Sequence, residues 1–121
     1  IRHFRDLDVY QKAFNTGMKI FQMTQAFPPD EKYSLTDQIR RSSRAVCSNL
    51  AEAWRKRKST AVSRDKPTDG LQEASETQSG LESCVACKYV DENLFKELDS
   101  EYETRIAMLN KMDQQADKFC F

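Results

Sequence analysis

The chain has 121 residues, 31% of them charged and only three Gly and three Pro, a composition that favours a helical protein over a β-sandwich or barrel. The formal net charge is zero, but residues 37–68 hold nine Lys/Arg against three Asp/Glu, whereas residues 69–121 hold five against twelve. The length predicts one domain over residues 1–121. No apolar run approaches the roughly 18 residues of a membrane helix, so no membrane partner is predicted.

Apolar residues at helical spacing predict four helices, over about residues 7–26, 35–58, 68–87 and 92–117. Asp6 is the predicted N-cap of the first helix, and Pro28 ends it. The breadth of the apolar face indicates burial against more than one neighbour. This face is predicted to contain Leu7, Tyr10, Phe14, Gly17, Phe21 and Thr24, widened by Ala13, Ile20 and Phe27.

The second helix has the most regular pattern. Ser34 is its predicted N-cap, and Asp37 at the third helical position indicates a capping box. Its predicted buried stripe consists of Leu35, Ile39, Ser42, Val46, Leu50 and Trp54. Three arginines lie within about one turn of each other on overlapping faces, and four cations crowd the C-terminus, where they suit the helix dipole. These cations are Arg40, Arg41 and Arg44, followed by Arg55, Lys56, Arg57 and Lys58.

The third helix has a less regular start. Pro67 and Gly70 both disfavour a helix interior, so Ser59–Gly70 is predicted to be a loop or an interrupted first turn. Gly80 is a predicted weak point further along.

Asp91 is the predicted N-cap of the fourth helix, whose outer surface is acidic. Four amphipathic helices with mostly short connections predict an all-α, up-down-up-down four-helix bundle.

Four segments resemble the bacterial four helix bundle protein family, also called the 23S-rRNA-intervening-sequence or S23-like family. They are FRDLDVYQKAF (Phe4–Phe14), YSLTDQIRRSSRAVCSNLAEAW (Tyr33–Trp54), EASETQSGLE (Glu73–Glu82) and CKYVDENLFKELDSEY (Cys87–Tyr102). The most specific part is Leu35–Glu52. The chain departs from the family pattern at Arg64–Gly70, which contains Pro67, and at Gly80, where the family usually has a bulky aromatic residue. Both departures put the packing of the third helix in question.

The resemblance implies compact four-helix bundles that assemble into rings, typically homopentamers. Many family members are encoded in sequences inserted in 23S rRNA genes. A related branch serves as an accessory protein to the reverse transcriptase of diversity-generating retroelements and binds nucleic acid through a basic surface. No enzymatic activity is implied.

The cations of the second helix, together with Arg64 and Lys66, have two interpretations. They form either a phosphate-binding surface, since Arg matches phosphate oxygens, or a solvated face paired with the acidic fourth helix. Trp54 is the only aromatic residue that the sequence places near them, which predicts contacts with the nucleic-acid backbone and no direct reading of bases. Asp37, Asn49 and Glu52 are predicted to form a structural polar network with Arg residues of the next helix or subunit, with a binding or catalytic site as the alternative.

Cysteine and histidine provide no strong site. Cys84 and Cys87 form a CxxC on or beside the buried stripe, and with Cys47 and either His3 or Cys120 they reach four potential zinc ligands. A single CxxC within an amphipathic helix is weak evidence, so these residues are interpreted as thiols in a reducing compartment. His3 precedes the first helix in a segment expected to be mobile, with no partner for general-base catalysis.

The sequence therefore predicts a non-enzymatic, nucleic-acid-associated cytoplasmic protein without a cofactor or a metal site. The predicted ligand is structured RNA, such as rRNA, or a ribonucleoprotein, bound by the basic surface of the second helix. The alternative is a scaffolding homo-oligomer that binds protein partners and no nucleic acid. In both cases the chain is expected to form a ring with copies of itself, with a homopentamer as the family-based prediction.

Overall fold

The structure, a computed structural model, describes residues 1–57 and 60–114, with side chains over 1–57, 69–112 and 114. Its four α-helices are α1 (Asp8–Thr24), α2 (Leu35–Arg55), α3 (Thr60–Ala86) and α4 (Glu92–Gln114). Two short 3-10 helices span Phe4–Asp6 and Pro29–Glu31. No strand occurs within the described ranges, so the fold is all-α, as predicted.

Each helix packs against its neighbours along the chain, and α1 also packs against α4. This order of contacts is the one expected of the predicted up-down-up-down bundle. Lys19 on α1 joins α4 through an ion pair of 2.9 Å from its Nζ to Oε1 of Glu101. The Tyr89 hydroxyl donates to Oε2 of Glu31 over 2.8 Å and so connects the α1–α2 turn to the α3–α4 turn. None of the helices in the described ranges is both long and apolar enough to cross a lipid bilayer.

The core is formed by one stripe of small and aliphatic residues from each helix. In α2 the predicted stripe is confirmed at Leu35, Ile39, Ser42, Val46 and Leu50, whereas Trp54 is only half-buried. Val46 and Ile39 lose almost all of their solvent exposure, which makes α2 the central element of the core. The buried hydrophobic residues from the other helices include Val9, Ala13, Ile20, Ala74, Leu81, Cys84, Leu98, Tyr102 and Leu109.

The predicted face of α1 is confirmed at Leu7, Ala13, Ile20 and Thr24 but is wrong at its exposed aromatic residue. The buried stripe runs through Val9, Ala13, Thr16, Ile20 and Thr24. Phe14, which was predicted to be in the core, is 49% exposed. The small residues of this stripe allow α1 to approach the bundle closely, and the bulky aromatic residues are left along one edge.

Of the three predicted N-caps, Asp91 makes the capping hydrogen bond, Ser34 has the position without the bond, and Asp6 is wrong. Asp91 caps α4, since its Oδ1 accepts the N–H of Leu94 at 2.7 Å. Ser34 occupies the N-cap position of α2, but its hydroxyl donates to Glu31 Oε1 at 2.6 Å and makes no bond to the helix, so the predicted capping box is absent. Asp6 does not cap α1, because its carboxylate accepts the backbone N–H groups of Arg2 and His3.

The third helix begins at Thr60 and contains Pro67 and Gly70, so the predicted loop over Ser59–Gly70 is wrong for the described residues 60–70. Tertiary packing explains part of this difference, because α3 lies between α2 and α4. Gly70 is buried against α4, and a Cβ added to it would lie 3.5 Å from Cδ2 of Leu109. Packing of this kind outweighs the low helix propensity of the segment.

Gly80 brings α3 close to α2 and is not the predicted weak point. A Cβ at this position would lie 3.2 Å from both Cδ1 and Cγ1 of Ile39, which is fully buried. A larger residue there would need Ile39 to move. One turn away, the Thr77 hydroxyl donates to Oγ of Ser42 at 2.7 Å and provides a buried hydrogen bond between the same two helices.

Candidate nucleic-acid interface

The three arginines predicted to form one patch on α2 lie on two sides of the helix. Arg40 and Arg44 lie on the side that faces α1, with their Cζ atoms 4.7 and 5.9 Å from the ring centroid of Phe21. Arg41 lies on the side that faces α3, where its Nη1 is 3.3 Å from Oδ2 of Asp37. The structure therefore separates Arg41 from the other two.

Arg40 has a structural contact in addition to its positive charge. Its Nε donates to Oγ1 of Thr24 over 2.7 Å, and Thr24 is itself buried at the end of α1. This bond joins α2 to α1 and holds the guanidinium beside Phe21. Arg44, one turn along, is exposed and makes no hydrogen bond or ion pair within the described part of the chain. Arg44 is thus the more available of the two cations.

A second basic cluster forms where the C-terminal end of α2 meets the N-terminal segment. The Cζ atoms of Arg5 and Arg55 lie 4.9 and 5.7 Å from the ring centroid of Phe4. Nη2 of Arg55 is 3.2 Å from Nε2 of His3. His3 is also the N-cap of the first 3-10 helix, with Asp6 completing a capping box. The contact with Arg55 places this segment against the bundle, and its predicted mobility stays a prediction.

The remaining predicted cations are held by their own helix end. Nζ of Lys56 is 3.8 Å from Oε1 of Glu52. The Arg57 guanidinium stacks on Trp54 with its Cζ 3.8 Å from the ring centroid, and it donates to the Trp54 carbonyl at 2.8 Å. Lys58 lies outside the described residues, and the side chains of Arg64 and Lys66 do as well. Their predicted part in a basic surface stays a prediction.

An open groove lined by aromatic residues runs between α1 and α2, beneath Arg44. Phe4 meets Tyr10 edge-on at 5.0 Å between ring centroids, and Tyr10 stacks near Phe14 at 6.2 Å and 30°. Further along, Phe21 lies beneath the arginines described above. The groove has a volume of about 300 Å³. Its floor consists of small residues, namely Gly17, Ser43, Cys47, Ser48 and Ala51.

The sequence interpretation missed these aromatic residues, because it assigned them to the core. The prediction that Trp54 alone lies near the basic residues is therefore wrong. A usable signal was present in α1, where aromatic residues recur on one face while a second face of small residues is sufficient for the core. None of the residues that line the groove is acidic, so its cations are not neutralised within it.

Arg41 lies in a different electrostatic environment. It lines a cleft between α2 and α3 together with Glu73 and Glu76. Burial and the nearby charge of Glu76 raise the pKa of Glu73, while the positive charge of Arg41 acts in the opposite direction. An anion approaching Arg41 would meet these two carboxylates and Asp37, whereas an anion approaching Arg44 meets no carboxylate in the groove.

The contacts that the structure shows for the predicted polar network are ion pairs within α2. Asp37 and Glu52 each pair with a cation four residues later on the same helix, Arg41 and Lys56 respectively. Asn49 is half-buried between them along α2. These contacts are within one helix, and a network reaching another helix or another subunit stays a prediction.

The cysteines differ in exposure. Burial raises the pKa of the Cys47 thiol, which lies beneath the groove, to about 11. The pKa of the Cys84 thiol is raised to about 12, mainly by burial. Cys87 is exposed, so the prediction that both cysteines of the CxxC lie along the buried stripe is wrong for Cys87. Within the described ranges, no three His, Cys, Asp or Glu side chains are close enough together to hold a metal ion.

Alkylation at pH 8 is expected to modify Cys87 well before Cys47. A thiol with a pKa of about 11 is roughly 0.1% thiolate at that pH, and only the thiolate reacts. The measurement is the rate of iodoacetamide incorporation, followed by peptide mass spectrometry in a Cys120→Ser background. Raising the pH from 8 to 10 should accelerate modification of Cys47 about 100-fold. Equal rates for Cys47 and Cys87 at pH 8 would contradict the described burial.

Comparisons with known proteins agree on the family and the fold. A family model described as "23S rRNA-intervening sequence protein" matches residues 5–111. A solved structure from Bacteroides thetaiotaomicron, described as a protein of unknown function from the S23 ribosomal protein family, superposes with a TM-score of 0.80. It is 21% identical and covers 88% of this chain and 95% of its own, which supports the fold alone. A search of curated proteins gives no match.

Proposed function

Because this chain belongs to the 23S rRNA-intervening sequence protein family, we propose that it is a non-enzymatic RNA-binding protein. The ligand is structured RNA, such as rRNA, or a ribonucleoprotein, and the protein acts in the cytoplasm without a cofactor. RNA contacts the side of the bundle where α1 and α2 meet. The family description and the distribution of cations on that side support the proposal.

The observation that carries the proposal is the alignment of cations along one groove. Arg44 lines the groove and lies over Phe21, and Arg55 lies beside the groove, over Phe4. No acidic side chain lines the space between them. Guanidinium groups bind phosphate oxygens through paired hydrogen bonds, and each phosphate that they neutralise releases counterions. Arg41, Lys56 and Arg57 stay predicted contacts with less support, since each is already engaged within α2.

Binding to an RNA hairpin with a single-stranded loop is expected to weaken steeply with salt. Two to three phosphate contacts per chain predict a slope of roughly −2 to −3 in a plot of log binding constant against log salt concentration. Fluorescence anisotropy with a labelled hairpin between 50 and 200 mM KCl measures this slope. Absence of binding at 50 mM KCl, or binding that does not depend on salt, would contradict the proposal.

We also propose that the chain assembles into a cyclic homo-oligomer, with a pentamer as the expected size. An exposed aromatic side chain outside the groove supports an interaction surface, since Tyr33 is 85% exposed. A ring would repeat the basic groove around its axis and raise the avidity for a long RNA. Sedimentation equilibrium gives the subunit number directly.

The second candidate function is a scaffold that binds protein partners and no nucleic acid. The acidic outer surface of α4 favours it, because this surface is complementary to the basic side of α2 in a neighbouring subunit. In that case, high salt should dissociate the oligomer, and no RNA should bind at low salt. Sedimentation across a salt series, with and without the hairpin, separates the two candidates.

A further inference from the structure

We propose that the groove between α1 and α2 binds unpaired nucleobases by stacking, so that the protein prefers single-stranded RNA over duplex RNA. The inference rests on the proposed function and specifies its ligand class. In this arrangement, bases stack against the aromatic rings of α1, and Arg44 and Arg55 contact phosphates on either side. The expectation from the sequence was contact with the RNA backbone alone.

One aromatic residue of the groove, Phe14, has the exposure that stacking requires, and the other rings are half-buried beside it. Phe14 is 49% exposed, although a Phe in a small bundle is usually buried. Tyr10 lies beside it with its ring at 30° to that of Phe14, so the two rings present similar directions to solvent. The volume of about 300 Å³ is at the lower end of the range for small-molecule sites and suits one or two flat rings.

The groove is also long enough for a short strand. Arg44 and Arg55 are eleven residues apart on α2, which corresponds to about 16 Å along the helix axis. Both guanidinium groups already lie near aromatic faces, so a phosphate can be bound beside a stacked base. Cationic grooves with exposed aromatic rings are the common design of sites for single strands, and each stacked base contributes independently of its sequence.

Charge favours a nucleic acid over a second copy of this chain as the occupant. The acidic residues of α4 that would complement the groove include Glu97 and Glu101, and both already pair with Lys19 of the same chain. The phosphates of a nucleic acid are not already engaged in ion pairs of this kind. A duplex would offer its phosphates but would keep its bases stacked inside, so only an unpaired strand uses both features of the groove.

The test compares three probes: a 12-nucleotide oligo(U), a 12-base-pair RNA duplex and linear polyphosphate. Phe14→Ala is expected to weaken oligo(U) binding by about 5- to 150-fold, which is the effect of losing one stacking platform. Binding of polyphosphate should change less than twofold, since the cations remain. Gln22→Ala is the control, because Gln22 is exposed on the same helix and is not among the residues that line the groove. Phe14→Trp should retain the affinity for oligo(U).

The outcomes separate this inference from the proposed function. If the protein binds all three probes and Phe14→Ala leaves oligo(U) affinity unchanged, the groove does not bind bases, while RNA binding stands. If Phe14→Ala weakens oligo(U) and polyphosphate equally, its effect is on the fold and the inference fails. If Phe14→Ala changes the sedimentation of the free protein, a second copy covers the groove and the inference fails. If none of the probes binds, the proposed function fails as well.

Discussion

Reversing Arg44 and Arg55 together to Glu is expected to weaken binding of an RNA hairpin roughly 100-fold at 50 mM KCl. Each reversal removes one phosphate contact and introduces a repulsion, so the two sites should lower the binding constant by about an order of magnitude each. Arg44 is exposed, and the contacts of Arg55 within the described residues are with His3 and Phe4, so neither change should unfold the core. Fluorescence anisotropy and the salt slope measure the effect.

Arg41→Glu is the matched control for that double variant. It reverses one charge on the same helix, as Arg44→Glu alone does, but on the side facing α3, where Asp37, Glu73 and Glu76 already lie. A loss of affinity below about threefold is expected for Arg41→Glu. The hypothesis of a groove-centred interface would be contradicted by an equal loss at both sites. Arg40 is left unchanged, because its bond to Thr24 would confound binding with stability.

Replacing Arg105 by Met is expected to stabilise the fold by about 1 to 4 kcal/mol. Arg105 continues the buried stripe of α4 between Tyr102 and Leu109 and is only 7% exposed. Its Nε has no hydrogen-bond partner, and it forms no ion pair with any residue in the described ranges. An unpaired charge in a core costs free energy, and Met fills a similar volume without that cost. Urea unfolding followed by circular dichroism measures the change.

The companion variant Arg105→Ala should have the opposite sign. It removes the same charge but leaves a cavity among buried side chains, with an expected loss of about 1 to 3 kcal/mol. A loss of stability in Arg105→Met as well would mean that the guanidinium has an anionic partner in the folded protein, such as a carboxylate of another subunit. Repeating the unfolding at two protein concentrations tests that explanation, because subunit contacts make stability depend on concentration.

The sequence was sufficient to predict α2 and the all-α fold, because their signal is local. Leu35, Ile39, Val46 and Leu50 keep strict helical spacing over most of α2, and each of them is buried. Asp91 likewise caps α4 through a contact three residues away. Patterns of this kind depend on neighbours within one helix, which a single sequence contains in full.

The candidate site could not be read in the same way, because its parts come from different helices. Arg44 and Phe21 are far apart in sequence and meet only when α1 and α2 pack. The orientation of α1 also depends on packing: Ala13 and Phe14 were predicted on one apolar face, but close helix packing favours small residues and leaves Phe14 exposed.

Two further misses have energetic causes. Pro67 and Gly70 each lower helix propensity, but propensity differences are small beside the tertiary contacts of a helix that lies between two others. The burial of Arg105 was not predicted, since charged side chains are seldom buried without a partner. Neither outcome follows from average behaviour of these residue types.

The hydrogen bond between Glu31 and Tyr89 has a consequence for how the chain folds. Helices α1 and α2 form one hairpin and α3 and α4 form another, each from contacts that are short in sequence, whereas this bond joins residues 58 positions apart. Hydrogen bonds from Ser34 and Tyr89 lower the pKa of Glu31 in the folded protein. The bond between Glu31 and Tyr89 therefore stabilises the native state at any pH above the pKa that Glu31 has in the unfolded chain. This stabilisation is lost as the pH falls through the lower pKa of the folded protein. Acid therefore weakens the docking of the two hairpins while their internal contacts persist.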